Sequence, residues 1–236
     1  MIPLKDDNPT STKPVVTYFL IGICVLVFLI QLGSQSYKTG QLFYSFGLIP
    51  SVLVGRDQLP MDLYVVPGYI TIFTSMFMHG GFMHLIGNML YMWIFADNIE
   101  DNLGPKNFII FYLISGIGAA MAQVLMDTSS QIPMVGASGA IGGVLGAYLI
   151  NHSKAKVLVL IPFGFFSQLI KIRALYVLGF WFVLQFINSS MMHSEGGGGV
   201  AYAAHIGGFV TGMILILFFN KKTKKENKII KGPWDQ

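Results

Sequence analysis

The chain has 236 residues, of which 53% are hydrophobic and only 11% charged, whereas a soluble globular domain carries about a quarter of charged residues. That balance excludes a free-standing soluble domain and points to a single integral membrane domain. The net charge of +4 does not imply a nucleic-acid partner, because the lysines flank apolar runs as topology signals do.

A bilayer core takes about 20 mostly apolar residues in helix. Along the chain the segments Val15–Leu32, Phe82–Ile99, Phe108–Met126, Met134–Ile150, Ala174–Met192 and Val200–Phe219 qualify. The fold class expected is an all-α membrane protein, a six-transmembrane-helix bundle. Residues 1–14 form a short cytoplasmic N-terminus, 15–219 the six-span domain and 220–236 a basic cytoplasmic tail. The first span is long and lacks a small-residue cleavage site, so it reads as a retained helix rather than a signal peptide. It holds the lone Cys24, a small apolar filler with no disulfide or zinc partner.

Two further apolar stretches read as interfacial. Leu63–Met78 is broken by Pro67 and Gly68 and diluted by threonines. Val157–Ile170, taken as a helix, would rise about 21 Å, too short to cross. It is interrupted by Pro162 and Gly164 and flanked by Lys156 and Lys171. With six spans and an inner N-terminus, 13 of the 15 Lys and Arg fall on the inner side and only Lys38 and Arg56 outside. This is the asymmetry of the positive-inside rule. A multi-pass protein of the bacterial inner membrane with both termini in the cytoplasm is expected.

The second, fourth and sixth spans run in one direction. In "HGGFMHLIGN", His84 and Asn88 are four apart and share one helix face. Ser138 in "MVGASGAIGG" is expected about one turn into the fourth span, and His205 in "AYAAHIGG" about one turn into the sixth. All four then lie at similar depth below the outer surface. Each alone is weak. A serine among glycines is ordinarily small-residue packing, and an intramembrane asparagine is ordinarily interhelical glue. A histidine inside a span more often marks a function.

Together they suit nucleophilic catalysis. Serine needs a base to take its proton as it attacks, and neutral histidine, with a reference pKa near 6.5, is such a base. The Asn88 amide, the His84 imidazole and the Ser138 backbone N–H are candidate donors to an oxyanion. Asp97, Glu100 and Asp101 fall at the inner side, and Asp127 and Glu195 in outer loops. A Ser138–His205 dyad is therefore expected, with no metal and no cofactor. Gly139 and Gly143, and Gly208 and Gly212, have the small-xxx-small spacing that lets two helices approach closely. A transporter or metal carrier using His79, His84 and His205 would be an alternative. It is disfavoured by the lack of internal repeats and of buried carboxylate ligands.

These residues resemble the rhomboid intramembrane serine proteases. The resemblance spans roughly Phe73 to Gly212 and rests on "HGGFMHLIGN", "GASG" and "AHIGGFVTG" in that order. "ADNIEDNLG", Ala96–Gly104, resembles a loop after the family's second span in which an acid and a glycine are structural. The resemblance implies a water-filled cavity open to the outside, with Ser138 as nucleophile and His205 as base. It also implies an oxyanion site of Asn88, His84 and the Ser138 amide, shaped by Gly136. Its substrates would be single-span or other membrane proteins in the bilayer, cut near their outer end beside a small residue, where helix-weakening residues expose the bond. A catalytically inactive relative that binds membrane clients is the alternative within the family. Two positions depart from the family pattern. Ile70-Thr71 stands where some members have Trp-Arg, and Gly142 stands where some have an aromatic stacked on the base. Tyr202 is the expected substitute contact for the His205 ring. His79 reads as a structural cavity histidine, and His152 and His193 as loop or interface residues.

Overall fold

A computed structural model of the chain describes residues 1–34, 36–163, 166–192 and 201–219. The tail 220–236, His193, Glu195 and the first residue of the expected sixth span, Val200, lie outside the described residues. The fold is mostly helical, with α1 (Val15–Gly33), α2 (Ser36–Phe46), α3 (Pro50–Leu53), α4 (Thr71–Thr74), α5 (Phe82–Leu103), α6 (Pro105–Met126), α7 (Ser138–His152), α8 (Ala174–Met192) and α9 (Tyr202–Phe219). Among the described residues, α1, α6 and α9 are long and apolar enough to cross a membrane. The other three expected spans also form helices. However, α7 has 15 residues, and the last turns of α5 carry Asp97, Glu100 and Asp101.

The expectation of an all-α chain is corrected by a three-stranded antiparallel sheet. Its strands are β1 (Ile2–Asp6), β2 (Lys156–Phe163) and β3 (Phe166–Arg173). The segment Val157–Ile170, read above as interfacial and too short to span as a helix, is most of the β2–β3 hairpin. The two strands are in register from Lys156 against Arg173 to Phe163 against Phe166. The physical reason is a period of two: Val157 and Val159 are buried while Lys156, Lys171 and Arg173 are exposed, so one face packs and the other meets water. β1 lies against β2 from Ile2–Leu160 to Asp6–Val157, which draws the N-terminus into the fold.

A second correction concerns Ala96–Gly104. It is the last turns of α5 and its end, not a loop. Gly104 terminates the helix with φ 75° and donates its N–H to the Glu100 carbonyl at 2.7 Å. The Glu100 carboxylate is buried and accepts from the backbone N–H groups of Val16 and Thr17 at 2.9 and 2.8 Å and from the Thr17 hydroxyl at 2.8 Å. It thereby satisfies donors that the first turn of α1 leaves unpaired and meets the positive end of its dipole. Asp101, one residue on, holds Ser11 through its backbone N–H at 3.0 Å and its hydroxyl at 2.8 Å.

The interior is built around α7, whose Gly139 to Tyr148 are all buried and which packs chiefly against α9 and α6. A Cβ placed on Gly208 would lie 1.9 Å from the Gly139 carbonyl oxygen, and one on Gly212 would lie 2.0 Å from that of Gly143. The two backbones are thus in direct contact. On the α6 side, a Cβ on Gly143 would meet Ser115 at 2.4 Å and one on Gly139 would meet Ala119 at 2.6 Å. Leu63–Met78 contains no long helix. It folds as turns, α4 and a 3₁₀ turn at Ser75–Phe77, with Met76 and Met78 buried. The departing position Thr71 closes the turn before α4, its hydroxyl donating to the Gly68 carbonyl at 2.6 Å.

At the sheet end of α7, the Tyr148 hydroxyl and the Asn98 side-chain amide both donate to the Asp6 carboxylate. His152 sits between the amides of Asn8 at 3.0 Å and Asn102 at 2.8 Å, tying the N-terminal segment to α5 and α7. Burial pushes the Asp6 carboxyl up to about 7, the Tyr148 hydrogen bond opposes this, and the charges of Asp97 and Asp7 add to it. A raised folded-state value means that docking of β1 is strongest below the unfolded value of about 3.8 and weakens as pH rises through about 7.

Two measurements check this packing. Gly208→Ala is expected to lower stability by roughly 1–3 kcal/mol through overpacking, read as thermal unfolding in detergent. Gly22→Ala, with nothing within 4 Å of the added carbon, is expected to leave it unchanged. Hydrogen exchange of the β1 amides, corrected for intrinsic rates, is expected to show less protection at pH 8 than at pH 5. Asp6→Asn is expected to flatten that dependence.

Candidate active site

The five residues singled out in the sequence, Ser138, His205, Asn88, His84 and Gly136, all line one cavity of about 780 Å³. Ser138 is the first residue of α7 rather than one turn inside a span. Met134–Gly136, apolar enough to read as helix, lies ahead of the helix instead, and Ala137 caps it with helical backbone angles. Met134 and Leu48 exchange backbone hydrogen bonds at 2.8 and 3.0 Å, and the Gly136 N–H donates to the Ser75 carbonyl at 2.9 Å. The first loop therefore anchors the approach to the serine. A consequence is that the Ser138 N–H belongs to the first turn of a helix, where it has no intrahelical acceptor and the helix dipole is positive.

His205 lies in the first turn of α9. That turn is fixed by the Gln123 side chain of α6, which accepts from the Ala204 N–H at 3.2 Å. Because the α7 and α9 backbones touch, the short serine side chain reaches the ring: Ser138 Oγ and His205 Nε2 are 2.7 Å apart. The expected geometric pair is formed. On the other face of the ring, Nδ1 is 2.7 Å from Gln185 Oε1 on α8. Gln185 was not picked out in the sequence. The signal available was a polar side chain within the apolar stretch of α8, which carries a cost in a membrane unless it is paired.

The His205 ring is flanked by Trp181 at 5.7 Å and 34°, and by Tyr202 edge-on at 6.3 Å. The expected Tyr202 contact is present, and Trp181 lies closer. An aromatic could not occupy position 142, because even a Cβ there would lie 2.9 Å from the His205 carbonyl oxygen.

Across the cavity, α5 brings His84 and Asn88 to the same face. A Cβ on Gly136 would sit 2.7 Å from the His84 ring and 3.6 Å from Asn88 Nδ2. Gly136 has φ 125°, a backbone that favours glycine. The position thus demands glycine twice, for conformation and for room. Asn88 is 8% exposed, and its Nδ2 has no hydrogen-bond partner within the protein, so a donor that costs free energy to bury faces the cavity. His84 Nδ1 accepts from the Gly80 N–H at 3.3 Å, which leaves its Nε2 as the protonated nitrogen beside Gly136. His79 is set apart. Its backbone is clamped by the Gln31 side-chain amide at 3.1 Å in both directions, and its ring packs edge-on against His84 at 5.2 Å. Among the described residues no group of three His, Cys, Asp or Glu could hold a metal ion.

The chain matches the Rhomboid domain over residues 66–222. It is 30% identical over 221 residues to the mitochondrial Rhomboid protein 1 of Saccharomyces cerevisiae, covering 89% of this chain and 55% of that protein. It is 29% identical over 201 residues to Rhomboid protease GluP of Bacillus subtilis, covering 85% of this chain and 34% of that protein. It is 28% identical over 199 residues to RHOMBOID-like protein 1 of Arabidopsis thaliana, covering 83% and 46% respectively. The chain thus spans about half the length of the first relative and about a third of the second. Together with its apolar helices, the match makes it an integral membrane protein, and the chain belongs to the rhomboid family.

Proposed function

We propose that the chain is an intramembrane serine endopeptidase that cuts membrane-protein segments through a Ser138–His205 dyad. The observation that carries this reading is the 2.7 Å contact between Ser138 Oγ and His205 Nε2 at the edge of a cavity lined by Asn88 and His84. A protein that only binds membrane clients has no need of that contact. The mitochondrial and Bacillus relatives named as rhomboids support the family's chemistry for this chain.

In this mechanism His205 Nε2 takes the serine proton while Oγ attacks the scissile carbonyl. The carbonyl oxygen becomes an oxyanion and is met by the Ser138 N–H, the Asn88 amide and the His84 N–H. The dipole of α7 adds to that field. His205 then gives its proton to the leaving amine, and a water repeats the sequence on the acyl-enzyme. A helical substrate shields the attacked carbonyl by its own hydrogen bonds. The segment must therefore unwind locally to enter the cavity.

The domain assignment belongs to the same proposal. Residues 15–219 form the catalytic domain, in which α5, α7 and α8 cross the bilayer beside α1, α6 and α9. Residues 1–14 and 220–236 lie on the lysine-rich inner side. The cut then falls near the outer end of the substrate segment. No metal takes part.

The test is incubation of the purified protein with a panel of single-span membrane proteins. Wild-type protein is expected to cleave, with chelator present or absent, while Ser138→Ala and His205→Ala abolish cleavage and still insert and fold. Cleavage by either variant contradicts the dyad, and chelator sensitivity contradicts metal-free hydrolysis. Asn88→Ala is expected to slow turnover by about 3 kcal/mol at most, since it removes one donor of several. An unchanged rate would return Asn88 to helix packing.

A further inference from the structure

Gln185 is polar, 9% exposed and set in the apolar face of α8, where packing alone would favour a leucine. Its side chain makes two contacts that point in opposite directions. Nε2 donates to the Trp181 carbonyl one turn earlier at 3.3 Å, and Oε1 faces His205 Nδ1 at 2.7 Å. The orientation of the amide follows from the first contact. Rotating it by half a turn would set Oε1 against the Trp181 carbonyl oxygen, two acceptors without a proton between them. With Oε1 toward the ring, the only hydrogen bond possible is from an Nδ1–H, because a carbonyl oxygen cannot donate. A neutral imidazole carrying its proton on Nδ1 has its lone pair on Nε2. The Ser138 hydroxyl 2.7 Å away must then be the donor.

We propose that Gln185 is the positioning residue of the site: it locks His205 in the Nδ1–H tautomer and aims Nε2 at Ser138, in the place where a carboxylate stands in a three-residue triad. The inference rests on the protease reading for its kinetic consequence but not for its structural one. It also explains why α8 packs against α9 through Trp181. The indole lies over the ring at 5.7 Å, and the Trp181 backbone carbonyl fixes the amide, so one turn of α8 sets both the plane and the tautomer of the base. A neutral amide does this without placing a buried negative charge. During attack the proton moves from Ser138 Oγ to Nε2, and the Nδ1–H stays on Gln185 Oε1 throughout. No further proton acceptor is required.

The test uses the full chain labelled with ¹⁵N-histidine, in wild-type, Gln185→Leu, Gln185→Asn and Gln185→Glu forms. A nitrogen bearing a proton and one bearing only a lone pair resonate far apart, so the tautomer is read without any turnover. Wild-type His205 is expected to show a protonated Nδ1 and an unprotonated Nε2. Gln185→Leu removes the acceptor, and Gln185→Asn withdraws it by one methylene; both are expected to give a tautomer mixture. Their kcat is expected to fall roughly 10- to 100-fold, within what a general base supplies, with KM unchanged. Gln185→Glu keeps an acceptor and is expected to restore both the tautomer and most of kcat. An unprotonated Nδ1 in the wild-type protein overturns the proposal. So does a wild-type tautomer in both the Leu and Asn variants, even if their turnover falls. If the wild-type protein neither cleaves nor reacts with a fluorophosphonate, the protease reading fails, and the tautomer spectra still decide the role of Gln185.

Discussion

The site depends on one steric constraint: the backbones of α7 and α9 touch. Gly208 lies against the Gly139 carbonyl and Gly212 against that of Gly143, each with too little room for a methyl group. Inside a membrane the lipid is as apolar as the side chains, so helices gain most from close van der Waals fit. Here the fit has a chemical result. Serine has the shortest side chain that carries a hydroxyl, and it reaches an imidazole on another helix only when the axes are this close. Three further contacts extend the same logic: Gly146 against the Phe209 carbonyl, Gly207 against Ala122 and Gly118 against Thr211. They pack α6, α7 and α9 into one closely fitted unit along the length of the helices.

Around this unit the remaining elements act as supports with separate tasks. The first loop anchors the serine's approach at Met134 and Gly136, through Leu48 and the Ser75 carbonyl. Helix α5 offers His84 and Asn88 from the opposite wall and, at its other end, uses Glu100 to cap α1. The sheet, with Asp6, Tyr148 and His152, closes the far end of α7. Helix α8 touches the His205 ring from behind with Trp181 and Gln185. His205 and His84 are each held by a different neighbour, Gln185 and the Gly80 N–H, while the Asn88 amide is left without a partner within the protein.

Much of this was legible in the sequence because it is written in local spacing. His84 and Asn88 four apart, and glycines four apart on two segments, state which residues share a face whatever the tertiary fold. The span boundaries followed hydropathy, and α1, α5, α6 and α8 begin within three residues of the expected starts. What was not legible depends on partners distant in sequence. Met134–Gly136 is short-chained or apolar throughout, and the backbone groups of Leu48 and Ser75, far away in the chain, hold it out of α7. The Val157–Ile170 hairpin has the right alternation, but a mostly apolar run with a proline and a glycine also fits a short helix. β1, from the other end of the chain, adds its third strand. Gln185 has no motif, since a single glutamine in an apolar helix gives no indication of which atom it faces.

The central claim is that the α7–α9 contact is what makes Ser138 reactive. The most direct measurement is the rate of fluorophosphonate labelling, mapped by peptide mass to Ser138, in wild-type and Gly208→Ala protein at a temperature where both are folded. A displacement of about 1 Å between nucleophile and base is enough to cost about 100-fold in rate. The account predicts a Ser138 adduct in the wild-type protein and labelling slowed on that scale in the variant, with both reacting groups intact. Equal labelling rates, or an adduct on another residue, would contradict it.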